Sequence, residues 1–170
     1  MKIITNEISI SIQPAKTKDG PAVHRLVKAS PPLDVNSRYC YLLLCSQFNR
    51  LCLTARAGQK LAGFVSAYRH PLKEDTIFVW QIAVDEDFRR RGVAGALLEA
   101  LIRRALREGL SYIETTVTPS NRASLALFEG LAAAYVAECR ISEYFSVQLL
   151  GDGHEEEVLL RIGPLKKGNK

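Results

Sequence analysis

One stretch of this chain joins an apolar strand pattern, a basic turn and a helical pattern, and it constrains the fold more than any other. Residues 76–85 form a nearly unbroken run of strand-forming residues, which predicts a strand covered on both faces. The basic turn Arg89-Arg90-Arg91-Gly92 follows. Between residues 93 and 105 the apolar residues recur at the spacing of one helix face, and Gly109 is a stop signal. The sequence therefore predicts a strand, a turn and a helix in direct succession.

Such a junction is suited to bind phosphate. The first N–H groups of a helix have no intrahelical acceptor and lie at the positive end of the helix dipole. Gly92 allows an anion to approach the backbone closely. The turn matches neither a nucleotide triphosphatase loop nor the three spaced glycines of a dinucleotide fold. We predict a phosphate site formed by Arg89, Arg90, Arg91, Gly92, Val93 and Ala94.

The same turn resembles a known signature. Arg89-Arg90-Arg91-Gly92-Val93-Ala94 is similar to the Arg/Gln-x-x-Gly-x-Gly/Ala motif of the GNAT acetyltransferase superfamily. In that superfamily the motif holds the pyrophosphate of acetyl-coenzyme A, so the resemblance implies this co-substrate. We expect backbone N–H groups around Ile82 and Val84 to polarise the acetyl carbonyl. The alternative is a solvated basic turn before an ordinary helix.

Composition and patterning predict a single α/β domain. The 170 residues, 47% hydrophobic and 24% charged, are enough to bury a core, and we expect one domain over residues 1–170. Strand and helix patterns alternate, which indicates a mixed central sheet flanked by helices. No apolar run is long enough to span a membrane, and the N-terminal residues lack the apolar centre of a signal peptide.

Charge and cysteines bear on partners and compartment. The net charge of +5 is spread along the chain outside the basic turn, and no aromatic platform accompanies it, so we expect no nucleic-acid partner. The four cysteines show neither a Cys-x-x-Cys pair nor a His at metal spacing. We therefore expect small buried thiols in a reducing, cytoplasmic setting and no metal.

Turn residues and periodicity outline the remaining elements. Strands are predicted at residues 8–12, 51–57, 61–68, 112–117 and 158–162. Helices are predicted after residue 17, after a cap at residue 36 or 37, and from about residue 122 to 131. Residues 133–153 have no clear pattern, and we expect a mobile loop there.

A second superfamily motif follows the predicted strand 112–117. The superfamily usually carries Asn-x-x-Ala/Ser-x-x-Leu-Tyr, and this chain carries Asn121-Arg122-Ala123-Ser124-Leu125-Ala126-Leu127-Phe128. The resemblance implies that Asn121 contacts the pantetheine arm, although a plain helix cap is the alternative. The Tyr that often protonates the leaving thiolate is replaced by Phe128. We expect water, Tyr39 or Tyr41 to take that role.

Four longer blocks resemble a narrower family, the L-2,4-diaminobutyrate acetyltransferases of ectoine synthesis and osmoadaptation. These blocks are residues 32–37, 39–45, 78–81 and 113–121, and the match extends over roughly residues 10–162. The resemblance implies an acyltransferase that acetylates the γ-amine of L-2,4-diaminobutyrate, a homodimer, no metal and a cytoplasmic setting. Two alternatives are acetylation of another small amine or peptide and a non-catalytic acetyl-coenzyme A-binding module, which the absent Tyr favours.

The expected chemistry selects the remaining candidates. An amine of this kind titrates near about 10, so it must lose a proton before it attacks the thioester directly. Glu114 stands mid-strand among apolar residues and is our main candidate to bind an ammonium or accept the proton; an exposed strand face is the alternative. Trp80 is expected to line the site, with core packing as the alternative. The weaker candidates are Asp34, Tyr39, Tyr41 and Thr116.

Overall fold

Over residues 1–5 and 8–166, which the computed structural model describes, the chain forms eight β-strands and five α-helices. The strands are β1 Lys2–Thr5, β2 Ile8–Pro14, β3 Leu53–Ala57, β4 Lys60–Arg69, β5 Thr76–Val84, β6 Tyr112–Val117, β7 Cys139–Phe145 and β8 Glu157–Ile162. The helices are α1 Gly20–Lys28, α2 Arg38–Ser46, α3 Val93–Arg107, α4 Arg122–Ala134 and α5 Val147–Leu150. None of the helices in this described part is both long and apolar enough to cross a membrane.

The strands follow the order β1-β2-β3-β4-β5-β6-β8-β7 in a mixed sheet. β5 and β6 are parallel and pair from Thr76 opposite Tyr112 to Phe78 opposite Glu114. A parallel pair needs a crossover connection, and α3 lies in the connection between these two strands. The predicted α/β fold with a mixed sheet is confirmed.

Backbone contacts divide the chain into two units, and the first comprises Met1–Tyr68 and Val79–Arg104. Its core joins α1 and α2 to β4 through fully buried side chains that include Val23, Tyr41 and Phe64. On the β4 backbone, Gly63 leaves room for α3, because a Cβ there would lie 3.1 Å from side-chain atoms of Val93 and Leu97. Packing around α3 thus fixes the helix that begins at the basic turn.

The second unit comprises Arg69–Phe78 and Ala105–Lys170. In it, β8 pairs antiparallel with both β6 and β7. Ile113 on β6 and Leu160 and Ile162 on β8 are buried and form the centre of its core. This unit holds Glu114, whose cross-strand partner on β8 is Arg161.

The structure corrects the prediction for β5. Ile77, Val79, Gln81 and Ala83 are buried, whereas the alternate residues Phe78, Trp80, Ile82 and Val84 are partly exposed. The strand is therefore covered on one face only, and the prediction of two covered faces is wrong. The apolar residues on the open face made the run look continuous.

The structure also corrects the prediction for residues 133–153. They contain the end of α4, the edge strand β7 and the short helix α5, where a mobile loop was expected. From Arg140 to Phe145 every residue of β7 is exposed, so no alternation of burial marks the strand in the sequence. β1 was also missed, and the side chain of Ile8 lies outside the described part of the chain.

Candidate active site

The turn between β5 and α3 has a backbone suited to an anion. Arg90 has φ 57° and Gly92 has φ 75°, both in the left-handed region. The first helical bond runs from the N–H of Ala96 to the carbonyl of Gly92 at 3.0 Å, so the N–H groups of Val93 and Ala94 have no acceptor within α3. No atom lies within 4 Å of a Cβ built on Gly92, which leaves open space beside these donors.

The acidic residues Asp85 and Asp87 beside the basic turn form ion pairs with Lys60. Lys60 lies 3.1 Å from Asp85 and 2.6 Å from Asp87. Hydrogen bonds to Asp87 and Asp85 raise the pKa of Lys60, and the bond from Lys60 lowers the pKa of Asp87. One ammonium thus offsets part of the negative charge of these two carboxylates. Arg89 is anchored by a 3.2 Å bond from its Nε to the carbonyl of Val84.

The open face of β5 carries Trp80, Ile82 and Val84. Trp80 is 41% exposed, so the core-packing alternative for this residue is wrong. Ile82 and Val84 are half-buried on the same face. The roles of Trp80 in lining a site and of the Ile82 and Val84 backbone in polarising a carbonyl stay predictions.

Gln81, on the opposite face of β5, organises a buried polar network. Its Oε1 accepts a hydrogen bond from the Tyr41 hydroxyl at 3.1 Å, and its Nε2 donates to the carbonyl of Asp34 at 2.7 Å. The Tyr41 hydroxyl in turn accepts from the N–H of Asn36 at 3.3 Å. Gln81 therefore holds the loop before α2 against the sheet. Sequence reasoning missed Gln81 as a functional residue, although a glutamine inside an apolar run is an available signal.

The Gln81 network contains two of the predicted site residues, Asp34 and Tyr41, and does not contain Tyr39. The backbone of Asp34 and the hydroxyl of Tyr41 both bind Gln81, while the Asp34 side chain is exposed. Tyr41 is fully buried, whereas Tyr39 is 69% exposed. The Tyr41 hydroxyl is thus used in hydrogen bonds inside the fold. Of these two tyrosines, Tyr39 is the one exposed to solvent.

Glu114 is buried at the centre of a charged cluster. It is 1% exposed, so the alternative of an exposed strand face is wrong. Its Oε1 accepts hydrogen bonds from Lys73 Nζ at 2.6 Å and Arg161 Nη1 at 2.5 Å. His70 Nε2 lies 3.7 Å from Oε2. His70 Nδ1 accepts from the N–H of Leu72 at 3.1 Å, so Nε2 is the ring nitrogen that faces Glu114.

The cluster keeps Glu114 ionised. Burial acts to raise the pKa of this carboxyl, but the hydrogen bonds from Lys73 and Arg161 outweigh it, and the pKa is lowered. A carboxylate with a low pKa accepts a proton poorly and binds a cation well. The geometry therefore favours an ammonium anchor over a general base.

Two further candidates lie on or after β6. Thr116 is half-buried and pairs with Leu159 of β8. Asn121 caps α4, since its Oδ1 accepts from the N–H of Ser124 at 3.1 Å. The helix-cap interpretation of Asn121 is confirmed, and its contact with the pantetheine arm stays a prediction. Phe128 is buried in α4.

The thiols of the first unit are not poised as nucleophiles. Burial raises the pKa of Cys45 to about 12 and that of Cys52 to about 11. A thiol with such a pKa is protonated at neutral pH and is a poor nucleophile. Among the described residues, no three His, Cys, Asp or Glu side chains are grouped as a metal ion would require.

A family comparison accounts for the turn, α3 and the cap of α4 together. Residues 21–132 match the acetyltransferase (GNAT) family model. The chain belongs to the GNAT acetyltransferase family. This assignment covers the basic turn and Asn121, the two motifs on which the resemblance was first based.

Comparisons with individual proteins show which acetyltransferases this chain resembles. An L-2,4-diaminobutyric acid acetyltransferase from Halalkalibacterium halodurans is 46% identical over 162 residues, which is 95% of this chain and 85% of the relative. A diaminobutyrate acetyltransferase from Paenibacillus lautus, solved with L-2,4-diaminobutyric acid and coenzyme A, is 37% identical with a TM-score of 0.89, covering 96% of this chain and 99% of that one. A ribosomal-protein-S18-alanine N-acetyltransferase from Escherichia coli reaches a TM-score of 0.72 at 23% identity over 94% of this chain and 97% of that one, and shows the fold alone.

The Gln81 network predicts unequal effects of two tyrosine substitutions. Tyr41→Phe leaves the buried Gln81 Oε1 and Asn36 N–H without a partner, and we expect it to lower the free energy of unfolding by about 1–3 kcal/mol. Tyr39→Phe is the matched control and should change it by less than about 0.5 kcal/mol, because Tyr39 is exposed. Urea unfolding measures both. Equal stabilities of the two variants would contradict the assigned role of Tyr41.

Proposed function

We propose that this protein transfers the acetyl group of acetyl-coenzyme A to the γ-amine of L-2,4-diaminobutyrate and forms 4-acetamido-2-aminobutanoate for ectoine synthesis. The observation that carries the proposal is the 46% identity over 95% of the chain to an enzyme of that name. A solved relative with the same substrate and coenzyme A bound, at a TM-score of 0.89, supports it. The ionised carboxylate of Glu114 supplies the anion that an ammonium substrate needs.

The two rival functions are not favoured. The likeness to the ribosomal-protein N-acetyltransferase, at 23% identity, concerns the fold alone and gives no ground for a peptide substrate. The alternative of a non-catalytic acetyl-coenzyme A-binding module was based on Phe128, which stands where the superfamily usually has a Tyr that protonates the thiolate. A free thiol has a pKa of about 8.5, so a coenzyme A thiolate leaves without a dedicated acid at mildly alkaline pH.

The residues of the basic turn fit the pyrophosphate of acetyl-coenzyme A. The N–H groups of Val93 and Ala94, which have no acceptor within α3, would bind the anion, Arg89, Arg90 and Arg91 would add positive charge, and Gly92 leaves space for it. Asn121 binds the pantetheine arm through its amide. The backbone around Ile82 and Val84 polarises the acetyl carbonyl.

The reaction requires one deprotonated amine. Glu114 binds an ammonium group of diaminobutyrate. Thr116, two residues further along the same strand, is a second candidate for contact with this substrate, and Trp80 and Asp34 of the first unit stay separate candidates. The γ-ammonium gives one proton to solvent, and the free amine attacks the thioester carbon. The C–S bond then breaks, and the nitrogen loses a second proton, which balances the proton taken up by the departing thiolate. Tyr39 or water protonates the thiolate, because Tyr41 is already bound to Gln81. Unchanged turnover in Tyr39→Phe and Tyr41→Phe would leave water as the donor.

The cofactor assignment predicts that Gly92→Val weakens coenzyme A binding. A branched side chain fills the space beside the turn and strains a residue with φ 75°, so we expect the dissociation constant to rise at least about tenfold. Gly109→Val is the matched control, because Gly109 has φ 79° and equally open surroundings at the other end of α3. Calorimetry with coenzyme A should show loss of affinity for Gly92→Val alone. Equal affinity of both variants would contradict the phosphate site.

The amine assignment predicts that Glu114→Gln lowers kcat/KM for diaminobutyrate by about tenfold to a hundredfold, since a charge-assisted hydrogen bond is lost. Because the low pKa favours an anchor, the change should be in KM, with kcat largely kept. Release of free thiol from acetyl-coenzyme A measures both constants. Glu99→Gln, which removes another ion-paired carboxylate, is the control. A fall in kcat at constant KM would indicate proton transfer, and wild-type kinetics would remove Glu114 from the site.

We also propose that the protein is a cytoplasmic homodimer with one acetyltransferase domain over residues 1–170. The free state of all four cysteines is consistent with a reducing compartment. The edge strand β7 supports self-association, because an unpaired edge with apolar side chains is a template for pairing. Large apolar residues along β7 and α5 are exposed, namely Ile141, Tyr144, Phe145, Val147 and Leu149.

Self-association through this edge is directly testable. We expect the wild-type protein to have twice the 18.9 kDa mass of the chain in light scattering. Ile141→Lys places a charge on the exposed β7 edge and should give a monomer. Ile4→Lys, at an exposed residue of the opposite edge strand β1, is the control and should remain a dimer. A monomeric wild type, or a dimer that survives Ile141→Lys, would argue against this interface.

A further inference from the structure

Glu114 is bound by two cations that differ in how firmly they are held. Arg161 lies directly opposite Glu114 in the β6–β8 register. Its Nη1 also contacts Thr76 Oγ1 at 3.3 Å, and its guanidinium lies 4.2 Å from the centre of the Tyr112 ring. Its Nη2 lies 4.0 Å from Asp75 Oδ1. Several contacts therefore fix Arg161, and its guanidinium remains a partner of the Glu114 carboxylate if Lys73 moves away.

Lys73 is the second cation, and its position is less constrained. It comes from the turn between β4 and β5, and its side chain is 41% exposed. Its ammonium reaches the same Glu114 oxygen as Arg161, at 2.6 Å. A lysine ammonium sits on a flexible four-carbon stem and is strongly hydrated, so it moves into water more easily than a guanidinium fixed on a strand.

The chemistry of Lys73 matches that of the substrate. Its side chain ends in a primary alkylammonium, and diaminobutyrate carries two groups of this kind. Oε1 already has two donors at 2.5 and 2.6 Å, so a third cannot reach it without displacing one. An ammonium bound at Oε2 would lie close to Lys73, and two like charges this near each other repel.

We propose that Lys73 is an internal placeholder for the substrate: its ammonium occupies the Glu114 carboxylate in the amine-free protein and moves into solvent when an ammonium group of the amine substrate binds there. The inference rests on the proposed function, because it takes diaminobutyrate as that amine. Lys73 then competes with the substrate and takes no part in bond making or breaking. Its removal strengthens amine binding and leaves the chemical step unchanged.

Kinetics at saturating acetyl-coenzyme A test the competition. Lys73→Met keeps an unbranched side chain and removes the charge, and it should lower KM for diaminobutyrate by about twofold to tenfold with kcat kept. Lys73→Arg replaces the ammonium with a guanidinium that matches a carboxylate better, and it should raise KM. Lys18→Met, at an exposed lysine of the first unit, is the charge-matched control and should leave both constants unchanged.

A binding measurement separates affinity from catalysis. Calorimetry with diaminobutyrate and free coenzyme A, a pair that cannot react, should give a lower dissociation constant for Lys73→Met than for wild type. Circular dichroism establishes that the variant is folded, which we expect because Arg161 still pairs with Glu114. Lys73→Gln, which keeps a hydrogen-bond donor, is the second variant and should also lower KM.

Any other outcome contradicts the proposed placeholder role of Lys73. A higher KM in Lys73→Met would mean that Lys73 helps to bind the substrate, and a lower kcat would mean that it acts in the chemistry. Unchanged constants in all Lys73 variants would mean that the ion pair does not oppose binding. Failure of the proposed function is distinct, because wild-type protein would then show no diaminobutyrate-dependent thiol release, whereas the placeholder fails in an active enzyme.

Discussion

The buried carboxylate of Glu114 imposes the strictest physical condition on this chain. A lone ionised group is costly to bury, and the cost is offset where cations and hydrogen-bond donors face it. The β6–β8 register supplies Arg161, and the β4–β5 turn supplies Lys73. Since the pKa of Glu114 is lowered on folding, its ionised form adds stability that is present above its ordinary value and lost as the pH falls through the folded value. Pairing of the strands around β6 therefore depends on charge as well as on apolar packing.

Periodicity predicted the elements whose burial follows a period, and it failed where burial does not. The helix α3 has a continuous buried face, and its bounds agree closely with the sequence pattern. β5 was recognised as a strand, but its open face carries Phe78, Trp80 and Ile82, which are as apolar as the buried face. β7 was missed because nearly all of it is exposed. In both strands the sequence encodes a surface that the single chain leaves uncovered, and a pattern of residues cannot tell such a surface from a core.

The site was predictable where a backbone motif is local, and not where distant residues meet. The basic turn follows from six consecutive residues, and the left-handed Gly92 agrees with that prediction. Glu114 was chosen because a carboxylate inside an apolar strand is unusual, but its partners Lys73 and Arg161 stand 41 and 47 residues away along the chain. The same holds for Gln81, whose contacts to the loop before α2 depend on the fold. Sequence reasoning can thus identify a residue that needs a partner without identifying that partner.

Lysine–carboxylate pairs have opposite consequences for the two ligands of the proposed reaction. At the basic turn, Lys60 pairs with Asp85 and Asp87 and offsets part of their negative charge, which favours the binding of an anion. At Glu114 the pair formed by Lys73 neutralises the charge that an ammonium would recognise, and so opposes binding. The first pair can persist when a phosphate binds, whereas the second must open when an amine binds. A carboxylate buried in an amine-free protein still requires its cations, so the stability of the fold and the affinity for the amine make conflicting demands on Glu114. A lysine on an exposed turn reconciles them, because it can leave while Arg161 remains.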